Sequence, residues 1–540
     1  MFEQLIDTVN QYQAVINKAL NFIREACTEA GHLSTARLDE YQQVTSDLSV
    51  STAELRCASN FLDYASPRAG IERRLASTFA ADTLHNIRNR LARAPEDYGF
   101  TGEDMDQLRI DVCGDLLSAT SLAQLGRQVV DNAGDLGDRG LDEDKLMMAD
   151  TFRQFASEVV QPLAQDIHRN NMIIPDEILS GVRELGCFGL SVPERYGGLL
   201  PDNQEDSLGM IVVTEELSRA SLGGAGSLIT RPEIMARALM EGGTEDQKRY
   251  WLPRIADGEP LCGIAITEPD YGSDVASARL KATRNQEGWL LNGSKTWSTF
   301  AGKSGVLLTL ARTDPDLSLG HRGLTLFMVE KPAFDGEEFS FEQKGGGSLT
   351  GQAIPTVGYR GMHSFSLFFD DFFVPASHVV GEGQGIGKGF YYTMRGFMGG
   401  RIQTAARACG VMQAGFEDAL KYACDRKVFG QPVADYQLTL VKIAKMAMYL
   451  GASRQFTYKV GRMMDEGDGA IDSSLVKLLT CKLSEWLTRE AMQIHGGMGY
   501  AEETHASRYW LDARVLSIFE GTEETLALKV VGRNLIGQAS

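Results

Sequence analysis

Basic residues are the scarcer sign of charge in this chain. Its 540 residues carry 53 lysines and arginines against 72 aspartates and glutamates, a formal net charge of −19. That balance excludes sequence-independent nucleic-acid binding, which runs on basic surface. It leaves room for an anion held in a local basic pocket. The eight cysteines are scattered and form no C-x-x-C pair, which excludes a zinc ribbon or a thioredoxin-like motif. Reduced thiols and a cytoplasmic location are the expectation. No apolar run is long enough to span a bilayer. The start, Met1 to Asp7, has neither a basic n-region nor an apolar h-region, so no membrane insertion is expected. There is no internal repeat and no low-complexity tract. What remains, 43% hydrophobic and 8% aromatic residues, suits a globular protein with more than one core.

Proline is nearly absent from the first 130 residues, where only Pro67 and Pro95 occur. Phe2, Leu5, Ile6, Val9 and Tyr12 recur at helical spacing there, as do Leu20, Ile23 and Cys27. A Gly/Asp-rich stretch, 132–140, reads as a linker, so residues 1–140 form a helical extension. Helical patterns resume over 141–257. Short apolar runs bounded by turn residues then predict an antiparallel β domain over 258–383. Asn292-Gly293 falls between two such runs and predicts a hairpin turn. Long helices return over 384–540. The Gly-rich stretch 381–389 fits neither G-x-G-x-x-G nor a P-loop and reads as a connection into the last helical domain. The fold class is mainly α with a central antiparallel β domain.

Five short segments stand out: 265–274 (AITEPDYGSD), 292–299 (NGSKTWST), 425–431 (DRKVFGQ), 493–500 (QIHGGMGY) and 517–524 (SIFEGTEE). Their order and spacing resemble the acyl-CoA dehydrogenase flavoproteins, from about residue 145 to the end. The resemblance implies three layers, helical, β and helical, with FAD as cofactor. Removing hydrogen across Cα–Cβ of an acyl thioester needs a desolvated base for the α-proton and a hydride acceptor on the opposite face. It also needs donors where charge develops.

On the family's pattern Glu520 is the base. Thr267 donates to the flavin pyrimidine edge, Trp297 flanks the ring, Thr299 lies at its reactive edge and Ser273 reaches the pyrophosphate. Arg426, Phe429, Gln493 and Gly497 hold the adenosine part from a neighbouring subunit, with Thr522 and Glu524 also toward FAD. Arg401 matches a family arginine beside the thioester. Its neighbour, the base of a minority branch, is Gly400 here, so Glu520 has no competitor. Each residue alone has a plainer reading: Trp297 as a core aromatic, Arg426 as a solvated helix end, the 267–269 run as a strand end. His495 reads as structural, because no second ligand stands at metal spacing, and no metal is expected.

The extension and the Gly-rich loop 343–351 resemble a branch of the family that oxidises a short branched acyl-CoA bearing a free carboxylate. Such a carboxylate needs a buried cation. Arg231 and Arg360 are the candidates, and pairing of Arg231 with Glu233 is the alternative. Electrons pass in this family to electron-transfer flavoprotein. An acyl-CoA dehydrogenase for another short-chain acyl-CoA, an acyl-CoA oxidase, which is usually longer after the base, and a non-catalytic flavoprotein of the same fold remain as alternatives. Helical domains in this family pair dimers into tetramers. An added helical domain covers those faces, so a homodimer is the expectation.

Overall fold

Apolar residues every three or four positions put Leu5, Val9, Tyr12, Ile16, Leu20 and Ile23 on one buried stripe of α1 (Phe2–Cys27). The computed structural model describes residues 1–539. Two long helices follow, α2 (Gln42–Ala65) and α3 (Ile71–Leu91). The buried positions of α2 include Ser49, Ser51, Thr52, Ala53, Ala58 and Ala65, small residues that let neighbouring backbones approach. α4 (Ala119–Asp131) starts on Ser118, whose hydroxyl accepts the Ser121 N–H at 3.1 Å. Coil fills 135–142.

Between this coil and the sheet lie six α-helices: α5 (Glu143–Phe155), α6 (Gln161–Arg169), α7 (Asp176–Glu184), α8 (Ser207–Ala220), α9 (Thr230–Gly242) and α10 (Glu245–Asp257). Thr244 and Gln247 form a reciprocal capping box at the start of α10, and Gly258 ends it at φ +66°. The strands are β1 (Cys262–Ala265), β2 (Lys281–Arg284), β3 (Gly288–Thr299), β4 (Val306–Arg312), β5 (Leu324–Glu330), β6 (Glu338–Glu342), β7 (Ser348–Ile354) and β8 (Ser364–Pro375). They form one eight-stranded sheet in the order β1-β4-β2-β3-β8-β7-β6, with β5 paired to β4.

Two sequence expectations are corrected here. The sheet is not wholly antiparallel: β1 runs parallel to β4, and Lys281 pairs in parallel with Arg312. Parallel neighbours need a long crossover, which the segment from Ile266 to Gly305 supplies. Asn292-Gly293 is not a hairpin turn either. Both residues lie inside β3, opposite a bulge of β8 between Phe369 and Phe372. Asn292 Nδ2 donates to Asp371 Oδ1 at 2.8 Å, and its Oδ1 accepts the Asp371 N–H at 2.9 Å. The glycine's permissive backbone, φ +129°, serves the bulge. The turn between β2 and β3 falls at Asn285, whose Oδ1 accepts the N–H groups of Glu287 and Gly288.

Helices α11 (Gly389–Asp425), α12 (Gln437–Asp465), α13 (Asp472–His495) and α14 (Ala506–Leu516) follow the sheet, and a last helical stretch runs through Thr525–Gly532 and Arg533–Gln538. The chain forms two compact units: residues 1–147 with 404–540, and residues 148–403. In the first unit the N-terminal helices pack directly on the C-terminal ones. A Cβ added at Gly126 of α4 would lie 2.0 Å from the Leu440 carbonyl oxygen of α12, so only glycine permits that crossing. Ser49 donates to the Ala527 carbonyl at 2.8 Å, and Asp82 accepts the Tyr449 hydroxyl at 2.8 Å. In the second unit Phe152, Val160, Ile178, Phe188 and Leu217 form a helical core. Trp251, Ile234, Leu308 and Leu326 join α9 and α10 to the sheet. Among the described residues no helix is long and apolar enough to cross a membrane.

Candidate active site

Of the residues singled out in the sequence, Arg231, Thr267, Ser273, Trp297, Thr299, Arg360 and Arg401 belong to the second unit. Arg426, Phe429, Gln493, Gly497, Glu520, Thr522 and Glu524 belong to the first.

On the second unit, the segment leaving β1 and the end of β3 come together. The Thr296 N–H donates to the Thr267 carbonyl at 2.9 Å. The Thr267 hydroxyl is half-buried and has no protein partner among the described residues. Trp297 is no core aromatic: it is 56% exposed and has a left-handed backbone, φ +54°, where β3 and β8 lose register. Thr299 Oγ1 lies 2.9 Å from Ser364 Oγ across the same strand pair. Ser273 is exposed in the loop beyond the Glu268–Tyr271 turn. Hydroxyls beside an open indole face fit a flat, hydrogen-bonding ring system such as a flavin.

Beneath this surface lies an ion pair whose residues the sequence reading quoted but gave no role. Lys295 is fully buried, and its Nζ bonds to the Glu268 carboxylate and the Ile266 carbonyl, each at 2.8 Å. Burial pushes the Lys295 ammonium down to about 8, with Glu268 opposing that shift. No local pattern pointed to the pair, because its partners are brought together only by the sheet.

Arg231, on the first turn of α9, is only 7% exposed. Its Nη1 donates to the Ser227 carbonyl at 2.6 Å and approaches Met362 Sδ at 3.6 Å; its Nη2 donates to the Tyr359 hydroxyl at 3.0 Å. No carboxylate faces it among the described residues. Pairing with Glu233 does not occur: Glu233 accepts Arg237 Nε at 2.8 Å and also holds Gln403. Tyr359, which the sequence reading passed over, stands in the same Gly358–Ser364 loop as Arg360. Arg360 itself donates to the carbonyls of Thr356 and His168, at 3.1 and 2.7 Å, which pins that loop. Arg401 is half-buried on α11.

On the first unit, Glu520 follows the end of α14 in a left-handed conformation, φ +56°, rare for a residue with a side chain. One carboxylate oxygen, Oε2, is buried without a hydrogen-bond partner. Lys477 Nζ fixes the adjoining Gly521 carbonyl at 2.6 Å, and Arg407 lies over the Phe519 ring at 5.0 Å. A strained, half-buried carboxylate with a free oxygen is suited to accept a proton. Thr522 is occupied locally: it donates to Thr525 Oγ1 at 3.1 Å and accepts the Thr525 N–H at 3.2 Å. Glu524 is exposed. Phe429 is fully exposed at φ +48°, in the ribbon after Arg426, which is exposed too. Gln493 and Gly497 are exposed at the end of α13. His495 is structural, with Nδ1 2.8 Å from the Ala491 carbonyl and its ring stacked on Tyr422 at 4.4 Å. Cavity size does not mark the chemistry: a cleft of about 780 Å³ on this unit, lined by Asn10, Arg56, Asn60, Lys459 and Asn534, contains none of these residues.

The acyl-CoA dehydrogenase N-terminal, middle and C-terminal domains match residues 142–259, 263–372 and 387–536. (2S)-methylsuccinyl-CoA dehydrogenase of Cereibacter sphaeroides is 36% identical, over 98% of this chain and 97% of that protein. The structure of butyryl-CoA dehydrogenase from Megasphaera elsdenii superposes with a TM-score of 0.67 at 30% identity, covering 74% of this chain and all of that one. Glutaryl-coenzyme A dehydrogenase in its glutaryl-CoA complex gives a TM-score of 0.65 at 29% identity, over 74% and 97% of the two chains. With matching domains over most of its length and a relative aligned almost end to end, this chain belongs to the acyl-CoA dehydrogenase family.

Proposed function

We propose that the protein dehydrogenates a short branched acyl-CoA with a free carboxylate, converting (2S)-methylsuccinyl-CoA to mesaconyl-CoA in the ethylmalonyl-CoA pathway. The observation that carries the substrate reading is Arg231, a buried guanidinium with no carboxylate of its own. A buried charge without a counterion is costly, and a substrate carboxylate supplies one. The end-to-end similarity to a methylsuccinyl-CoA dehydrogenase supports the same reading.

FAD is the cofactor of this family and, when bound, supplies the hydride acceptor. Thr267, Trp297, Thr299 and Ser273 are the residues of the second unit that would hold it. Glu520 takes the α-proton on its free Oε2. Electron-transfer flavoprotein is the acceptor in this reading, and a solved electron-transferring flavoprotein structure is among the neighbours of this fold. The purified protein should be yellow with non-covalent FAD. Under anaerobic conditions methylsuccinyl-CoA should bleach it faster than butyryl-CoA or glutaryl-CoA. A colourless protein that takes up no FAD removes the reading, and faster bleaching by butyryl-CoA removes its substrate half. Oxygen consumption without reduction of electron-transfer flavoprotein would make the enzyme an oxidase.

The N-terminal block has an assembly role in this reading. Its helices cover small and apolar residues of α12, as at Gly126–Leu440 and Cys57–Ala452. With those faces covered, the enzyme is a homodimer in which Arg426 and Gln493 of the partner subunit complete each FAD site. Light scattering should give a dimer for the full chain. Removal of residues 1–140 should expose apolar surface and produce tetramers or aggregates. A tetramer unchanged by the deletion would end the covering role.

A further inference from the structure

The segment 266–268 is held by more than a strand ladder. Lys295 Nζ reaches from β3 to both sides of Thr267, binding the Ile266 carbonyl and the Glu268 carboxylate, each at 2.8 Å. The Thr267 carbonyl between them accepts the N–H of Thr296, the residue next to Lys295, at 2.9 Å. Glu268 is itself fixed from behind: its Oε2 accepts the Arg279 N–H at 2.7 Å and its Oε1 the Leu280 N–H at 2.8 Å. Lys295 is 0% exposed and Glu268 5%. Everything around Thr267 is thus fastened, while its own hydroxyl has no protein partner. Burying a charged pair only to hold a strand end is a poor bargain, since apolar residues of similar size often do as well or better. A pair that fixes the aim of one hydroxyl has a reason to be ionic, because directional bonds set position where apolar packing does not.

We infer that the buried Lys295–Glu268 pair is a positioning device that aims the Thr267 hydroxyl at the electron-rich edge of the bound flavin and so raises the flavin's affinity for electrons. The inference rests on the placement of Thr267 against flavin. Neither Lys295 nor Glu268 touches substrate or cofactor; both act through Thr267. A hydrogen bond aimed at the pyrimidine edge favours the reduced, more negative ring. Losing its aim lowers the two-electron potential, and a tenfold loss of preference corresponds to about 30 mV.

The test uses the full-length holoenzyme and four variants: Thr267→Val, Lys295→Met, their combination, and the charge-free pair Lys295→Met with Glu268→Gln. Readouts are the flavin midpoint potential, the visible absorption bands and FAD affinity by titration of the apoprotein. Thr267→Val and Lys295→Met should each lower the potential by the equivalent of about tenfold and shift the absorption bands. Their combination should add little to either alone, because one acts through the other. An unchanged potential in Thr267→Val would overturn the placement of Thr267 itself. A shift in Thr267→Val with none in Lys295→Met, or shifts that simply add, would overturn the positioning role alone. If Lys295→Met does not fold, the charge-free pair is read instead, and its potential should be lowered in the same way. Failure of both to fold would make the pair an element of stability and end the proposal.

Discussion

Glu520→Gln should hold FAD and bind acyl-CoA yet leave the flavin oxidised. The amide cannot accept the α-proton, and Gln is nearly isosteric, so the loop is not disturbed. That loop is held by groups the substitution leaves alone: Lys477 on the Gly521 carbonyl and Arg407 over Phe519. Its left-handed backbone at Glu520 is a conformation that only a well-fixed surrounding maintains. Loss of a positioned base costs ~10²–10⁴ in rate. In the proposed reading the loss reaches the upper end of that range or exceeds it, because position 400 is a glycine and offers no second base. Anaerobic stopped-flow reduction by methylsuccinyl-CoA, followed at the flavin band, measures it. Turnover near that of the wild type would place the base elsewhere.

Arg231→Met should separate two substrates. With the guanidinium gone, the distal carboxylate of methylsuccinyl-CoA enters a site that no longer neutralises it, whereas butyryl-CoA brings no charge. Removing one partner of a buried ion pair costs on the order of 3–5 kcal/mol. At 1.4 kcal/mol per factor of ten, that is roughly a hundredfold or more in affinity. The loss should fall on methylsuccinyl-CoA, with butyryl-CoA little changed or improved. Met keeps an unbranched apolar side chain of similar length in the buried site. Equal losses for both substrates would show that Arg231 only braces the Tyr359 loop through its bonds to Ser227 and Tyr359. Arg360, which already binds two carbonyls, would then be tested the same way.

The sequence alone determined what depends on residue type at fixed spacing. Apolar periodicity was enough for α1 and for the alternation of helical, β and helical blocks, because burial of one face follows directly from a 3.6-residue or two-residue repeat. The family motifs singled out Thr267, Trp297 and Glu520 as candidates, since they lie within a few residues of distinctive neighbours. Only the tertiary structure decided what depends on partners distant in sequence. Asn292-Gly293 carries the local signature of a turn, yet a bulge in β8, some eighty residues on, draws it into mid-strand through Asp371. Whether Arg231 pairs with Glu233 also depended on distant partners: Arg237 and Gln403 hold that carboxylate, and Arg231 bonds Ser227 and Tyr359 instead. The Lys295–Glu268 pair was silent in the sequence because a charge is identified as buried only by what encloses it. Local chemistry sets what a side chain can do, and the long-range packing of the sheet and helices sets which partner it has left to do it with.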